Sequence, residues 1–599
     1  MANPLVCSSQ WSSCKVFTSP RSFQRSGVVA LLWISVAAGC RKSDQVQINQ
    51  TVNSSSASAT LGPNFQTRAT DSTEVQTRFR LEDRTESLGV SFAYSNGEDA
   101  GLYSIVESLG GGVALFDFDG DRKLDIFATG GGRFHGDRTT SGLPNGLFRN
   151  LGDRFENIAS LAVVEMAQHY THGVSVGDFN NDGFRDVLTT GYGGIVLFQN
   201  MGDGSFQSVA SELGLRADGC TTSAAWADFN SDSNLDLYIA RYVNWSFDNN
   251  PICKSSLNGQ RDICPPSSFD PVSHLLFLGD GQGGFQDVTS TNGLRSDGKG
   301  LGVVGADVDN DGDMDLYVAN DTTDNFLYLN DGQGRFNEVG ILHGVARDDR
   351  GLPNGSMGVA AYDYDNNGLI DLWVANYERE SYGLYQNQGD GQFLHMSRRT
   401  GVTALGGAYV GFGTEMVDLD FNGTPEIVCT NGHVIKFPSA APRQQLPLLI
   451  SYDGKRFTRQ NFEQGHYFSR AHEGRGLAVG DIDHNGTQDV VLTNLNQPLS
   501  VLLNQTPSEN RGVRIRLIGT QSSRDAFGAR LVFHFNEQEH MRQVVSGGSY
   551  LSSSDRDVWM AIPKECSDVS LTIHWPGGNL TQELKIAQDE REITIIEPF

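Results

Sequence analysis

Aspartate occupies every second position from 307 to 315 in the stretch DVDNDGDMD, and the apolar run LYVAN follows immediately. Two carboxylates about 4 Å apart repel by roughly 1 kcal/mol even in water, and by more near a protein surface. Crowding Asp307, Asp309, Asp311, Asp313 and Asp315 beside a strand-like segment opposes folding unless a cation neutralises them. Six more stretches share the pattern D-x-[DN]-x-[DN]-x-x-x-[DE]: DFDGDRKLD, DFNNDGFRD, DFNSDSNLD, DYDNNGLID, DLDFNGTPE and DIDHNGTQD. Successive starts are 61, 50, 79, 56, 55 and 63 residues apart. A recurring period of this size marks an array or a propeller.

The pattern suits a hard cation. Calcium takes roughly six to eight oxygens in a flexible cage, and each stretch offers side-chain oxygens at positions 1, 3 and 5, a backbone carbonyl at 7 and a carboxylate at 9. The seven expected ligand sets begin with Asp117, Asp119, Asp121, Lys123 and Asp125, then Asp178, Asn180, Asp182, Phe184 and Asp186, then Asp228, Asn230, Asp232, Asn234 and Asp236. The fourth is the stretch from Asp307 already described. The last three are Asp363, Asp365, Asn367, Leu369 and Asp371; Asp418, Asp420, Asn422, Thr424 and Glu426; and Asp481, Asp483, Asn485, Thr487 and Asp489. The third loop has Ser233 where most have glycine, and the sixth ends in Glu426 after Pro425. Those two are expected to bind weakly or not at all.

These are not EF-hands. Position 12, which would need a bidentate glutamate, is Ala128, Thr189, Ile239, Val318, Val374, Cys429 and Leu492. The flanks (HGVSVG and DVLTT, LGVVGA and DLYVA, MGVAAY and DLWVA) are β-branched and glycine-rich, so each loop joins two strands. Hairpin signatures follow most loops: LFQNMGDGSF, LFLGDGQGGF, LYLNDGQGRF and LYQNQGDGQF. Each repeat thus supplies about four strands, one propeller blade. The last repeat stops short of its hairpin, whereas LEDRTESLGV (81–90) aligns with FQDVTSTNGL (285–294) as an orphan fourth strand. This strand is expected to complete the seventh blade and remove an open sheet edge.

The repeats resemble the FG-GAP/VCBS repeats of integrin α-subunit propellers and many bacterial surface proteins. The tail is similar to the ASPIC/UnbV domain of cartilage acidic protein-like sequences through Arg524-Asp525-Ala526, Gly528-Ala529-Arg530, the GGSYLSSSD run from Gly547 and Trp575-Pro576-Gly577-Gly578. The resemblance implies extracellular calcium binding and no settled activity. The expected fold is all-β: a seven-bladed propeller over 79–507, closed by an N-terminal strand, then a small β-sandwich-like ASPIC/UnbV domain over 508–599.

The net charge is −27, and 23 carboxylates sit at positions 1, 3, 5 and 9 of the loops, so the acidity is largely metal-site acidity. Seven calcium ions would bring the charge to −13. Nucleic acid is not an expected partner, since its binders need a basic face. Lys15, Arg21 and Arg25 precede the apolar run GVVALLWISVAAG and Cys40. That order is a secretory signal over 1–39, and Ala37-Ala38-Gly39-Cys40 resembles a bacterial lipobox, implying lipidation at Cys40. The apolar run is too short to span a bilayer. Residues 40–78, polar and rich in Ser and Thr, read as a flexible tether. The chain is expected to be exported and held at a bacterial envelope by a lipid anchor only. Export permits a disulfide between Cys253 and Cys264.

Catalytic signatures are weak. Gly173-Val174-Ser175-Val176-Gly177 matches G-x-S-x-G, but a nucleophile elbow needs a strand–turn–helix. Other repeats place Ala114, Ala225, Val304, Ala360 and Ala478 there, so Ser175 is expected to be a small packing residue. His169, His172, His433, His466 and His472 are dispersed. The leading reading is a non-catalytic module that binds an extracellular protein or glycan, with 241–274 and 431–447 as the candidate surface. The rivals are an extracellular lyase or hydrolase, with His466, Arg470, His472 and Arg475 as its group, and an envelope-complex scaffold subunit.

Overall fold

The computed structural model describes residues 77–281, 283–577 and 580–599. The proposed signal, the lipidation site at Cys40 and nearly all of the proposed tether lie outside the described residues.

Among the described residues, seven antiparallel sheets form the repeats: six have four strands, and the fourth has four plus Ser546–Gly547 as a fifth, while Gly132–Phe134 with Thr140–Gly142 and Cys253–Lys254 with Arg261–Asp262 make two small two-stranded sheets. The first comprises Val113–Phe116, Asp125–Ala128, Gly146–Asn150 and Phe155–Asn157; the second comprises Tyr170–Gly177, Asp186–Tyr192, Gly194–Asn200 and Phe206–Ser208. Sheets three to six repeat this scheme from Thr221–Ala227, Gly300–Ala306, Ser356–Tyr362 and Gly411–Val417. The seventh takes Gly474–Gly480, Asp489–Asn494 and Gln497–Asn504 from the end of the repeats and Leu81–Asp83 from the start. Leu81 pairs with Asn504 and Asp83 with Leu502. The described residues begin and end the ring in one sheet, so its edge is covered.

The first strand of each sheet packs on that of the next, and Gly474–Gly480 returns to Val113–Phe116. Glycine in these strands permits the approach. A Cβ at Gly302 would lie 2.3 Å from the Met357 carbonyl oxygen, one at Gly358 1.9 Å from that of Phe412, and one at Gly413 2.4 Å from that of Arg475. Between sheets, side chains such as Val304, Tyr317, Leu327, Val359 and Leu372 form fully buried apolar layers.

The C-terminal segment is a sandwich of a three-stranded sheet (Val558–Pro563, Asn510–Ile518, Glu592–Ile596) and a four-stranded sheet (Gln538–Gln543, Arg530–Phe535, Val569–His574, Thr581–Ile586). It is not separate from the ring; the two pack as one body. The SGGSYLSSSD run leaves the sandwich and enters the axial channel, where it bonds to the first strand of every sheet. Ser553 pairs with Val113 and Leu115, and Leu551 O accepts the Val174 N–H. Ser546 Oγ accepts from Trp226 N, Ser549 Oγ from Thr414 N and Ser552 Oγ from Leu477 N. Gly548 donates to Val303 O, and Ser549 O accepts from Val359 N. Tyr550 and Leu551 are fully buried. Serine suits this role because its hydroxyl can accept an otherwise unpaired strand N–H in a space too narrow for larger side chains.

Candidate metal centres

Each acidic stretch is the connection between the first and second strands of its sheet. All seven take one backbone form, with positions 4 and 6 left-handed: Asn310 at φ 62° and Gly312 at 97°, Phe421 at 50° and Gly423 at 92°, Ser231 at 58° and Ser233 at 71°. Glycine suits position 6 for that reason, and Arg122 and Ser233 occupy it at some cost. The turn aims its own N–H groups at the carboxylates. Asp363 accepts from Asn367 N and Gly368 N, and Asp178 from Asp182 N and Gly183 N.

Position 9 has a structural duty that sequence reasoning missed. Asp125 accepts the N–H groups of Phe118 and Asn150, Asp315 those of Val308 and Asn330, and Asp489 those of Ile482 and Asn504. Asp186, Asp236 and Asp371 follow suit. The third-strand asparagine then links adjacent sheets. Asn200 Nδ2 donates to Phe118 O, Asn330 to Phe229 O, Asn387 to Val308 O, Asn504 to Leu419 O and Asn150 to Ile482 O, at 2.7–2.9 Å. The signal is present in LFQN, LYLN and LYQN, whose asparagine stands at the start of the hairpin turn. Gly279 and Tyr452 stand at its place in sheets three and six, which lack this link.

In four loops the carboxylates of positions 1, 3 and 9 converge: Asp117, Asp119 and Asp125; Asp363, Asp365 and Asp371; Asp418, Asp420 and Glu426; Asp481, Asp483 and Asp489. In the fourth loop Asp307, Asp309 and Asp311 do so. Loops two and three carry Asn180 and Asn230 at position 3, and no such triad forms there among the described residues. Asp307 Oδ1 and Asp481 Oδ1 are buried with no hydrogen-bond partner, which costs free energy unless a cation faces them. Burial pushes Asp307 and Asp481 up to about 7, Asp125 to about 8 and Asp371 to about 9. An all-oxygen, largely anionic donor set of this kind fits a hard divalent cation.

The C-terminal sandwich packs against this face of the ring. Asp525 accepts the Asp178 N–H at 2.7 Å, Gln543 Oε1 that of Asp307 at 3.1 Å, and Asn181 Oδ1 accepts from Arg524 N. Behind them Arg514, 2% exposed, pairs with Asp555 and Asp557.

The other candidates do not assemble a catalytic group. Ser175 Oγ donates to Ala224 O and is buried in its strand. His172 is fully buried against Tyr94 and Gly110, and burial lowers it to about 3. His466 holds Leu81 O and stacks on Phe462, while Arg470 reaches Asp83 at 3.1 Å. Arg475 is apart from them, fully buried, with its guanidinium 3.9 Å from the Phe412 ring centroid and donating to four carbonyls. Opposite the acidic loops, segments 94–108, 241–274 and 432–445 form a cap. Cys253 and Cys264 are joined there, and Asp262 accepts from Lys436 N and Phe437 N.

These features define a β-propeller whose repeats carry acidic, metal-competent loops. The FG-GAP-like repeat matches residues 117–189, 178–239, 307–374 and 363–429, and "ASPIC and UnbV" matches 519–598; the chain carries FG-GAP-like repeats followed by an ASPIC/UnbV domain. It is similar to cartilage acidic protein 1 of Xenopus tropicalis, 22% identical over 500 residues, 78% of this chain and 70% of the relative. The Homo sapiens protein of that name is 22% identical over 507 residues, 78% of this chain and 69% of the relative. Among solved structures, an Agrocybe aegerita protein described as recognising non-reducing terminal N-acetylglucosamine is 15% identical, with a TM-score of 0.34, covering 65% of this chain and 87% of that one. No helix among the described residues is long and apolar enough to cross a membrane.

Proposed function

We propose that this is an exported, calcium-stabilised propeller, lipid-anchored through Cys40 at a bacterial envelope, that binds an extracellular protein or glycan. Calcium is supported by the convergent carboxylates and by the orphaned buried oxygens of Asp307 and Asp481. One observation carries the binding site: the plug fills the channel and the sandwich covers the acidic-loop face, which leaves the opposite cap as the presented surface. That cap is where loops on a rigid scaffold concentrate function. Its disulfide-closed loop exposes Leu257 (63%), and Ile252 (72%) is exposed just before it, beside Lys254 and Arg261. Tyr103 lies within cation–π distance of Arg261 and Lys436.

The test is capture of the purified protein on a glycan and matrix-protein array, with calcium and with chelator, against an Ile252→Asp/Leu257→Asp variant. Capture of one ligand class that needs calcium and is lost in the variant is the expected result. Capture unaffected by the variant removes the cap as the site.

A further inference from the structure

Six of the seven position-9 carboxylates are aspartates whose two oxygens each take a backbone N–H. The sixth loop departs from this. Glu426, one methylene longer, takes Leu419 N on Oε2, and its Oε1 has no hydrogen bond although the side chain is fully buried. That oxygen lies 3.8 Å from Arg78 Nη2, and Arg78 Nε lies 2.5 Å from Asp420 Oδ2. A guanidinium from more than 300 residues away in the chain therefore bridges positions 3 and 9, two of the three carboxylates that converge there. At the first loop, Arg149 and Lys123 also reach acidic side chains, Asp119 and Asp121, but Asp125 keeps both its backbone N–H groups. Among the described residues, only the sixth loop has a position-9 oxygen turned towards a side-chain cation. The adjoining chain fixes Arg78 in place. Phe79 is 4% exposed in the layer with Leu81, Val417 and Leu419, and Arg80 N donates to Thr506 Oγ1.

We propose that at the sixth loop the chain supplies its own cation: Arg78 bridges Asp420 and Glu426 and ties the N-terminal strand to the sixth sheet without metal. The inference rests on the reading that other loops take calcium. A guanidinium is always charged and suits carboxylate oxygens. Calcium at this loop has to displace it, and with it the start of the strand that completes the ring. A positive charge this close to a divalent ion weakens binding on the order of 100-fold or more.

The test is equilibrium calcium binding to the purified full protein, counted per chain at fixed free calcium. Arg78→Ala is expected to bind one ion more than wild type, and Arg78→Ala/Asp420→Asn to lose that gain. Asp420→Asn alone, with Arg78 intact, is expected to leave the wild-type count unchanged. Near-UV circular dichroism checks that each variant is folded, and Arg78 is half-exposed, so its removal leaves the core in place. Equal counts and affinities in wild type and folded Arg78→Ala, or one ion lost in folded Asp420→Asn, overturn the proposal while leaving the other loops as calcium sites. A wild type that binds no calcium refutes the reading on which the proposal rests, and the proposal with it.

Discussion

Gly112→Ala is the sharpest test of the filled channel. Gly112 has a φ outside the left-handed range, so its own backbone accepts alanine. A Cβ there would nevertheless lie 1.6 Å from the carbonyl oxygen of Leu551. Ordinary non-bonded contact begins at about 3.5 Å, so the plug must withdraw by more than an ångström. Withdrawal strains the bonds from Val174 N to Leu551 O, from Ser553 N to Val113 O, from Leu115 N to Ser553 O and from Leu551 N to Ser223 Oγ. Four hydrogen bonds at about 1 kcal/mol each, with partial rehydration of the Leu551 side chain at about 1–2 kcal/mol, set an upper bound near ~6 kcal/mol. Some of these bonds will re-form, and about 3–5 kcal/mol is the expected loss. The control is Gly136→Ala, where a Cβ meets nothing within 4 Å. The assay is urea unfolding, with hydrogen exchange over residues 546–557. If Gly112→Ala matches Gly136→Ala in both, the segment does not occupy the channel as described.

Other perturbations probe other links. Asn200→Ala removes the bonds from Nδ2 to Phe118 O and Arg185 O and the acceptor for Gly202 N, and should cost about 2–3 kcal/mol in unfolding experiments; Asn157→Ala, at an exposed strand end, should cost much less. Ser233→Gly relieves a left-handed serine and should raise stability by about 1 kcal/mol. Glu415 faces a cavity of about 150 Å³ under the plug; burial raises its carboxyl to about 7, against the bond donated by Ser554. The folded state therefore favours the protonated acid. That stability is fully present below the ordinary glutamate range and is lost as pH rises through about 7, up to about 3 kcal/mol in all. Thermal unfolding should show a fall in stability as pH rises from the ordinary glutamate range through about 7 that is smaller in Glu415→Gln than in wild type.

The repeat period, the strand–loop–strand units and the return of residues 81–83 to the last sheet were legible because each is a local pattern recurring at a fixed interval. The acidic loops were legible because alternating carboxylates have few other uses. The expectation that the third loop would be weak rested on a missing glycine; the structure shows that Ser233 adopts the required left-handed form, while Asn230 denies the loop a third converging carboxylate. The channel was not legible. GGSYLSSSD has the composition of a solvated loop, and nothing in it announces seven separated partners spread over the preceding residues. The same limit hid Arg78, which was assigned to a tether, and split the group His466, Arg470, His472 and Arg475. Proximity in sequence placed these four together, but Arg475 is buried on cap carbonyls and His472 pairs through its backbone with Gln445, while His466 and Arg470 hold Leu81 and Asp83.

The plug also sets an order of events in synthesis. Its residues leave the ribosome after every strand of the ring has been made, yet they hold backbone groups in all seven sheets. Until they arrive, the nascent ring has an unfilled interior lined by groups such as Trp226 N, Thr414 N and Leu477 N, whose partners come from the last tenth of the chain. A chain cut near residue 540 would keep the strands of all seven sheets and lose every partner that the SGGSYLSSSD segment supplies to them.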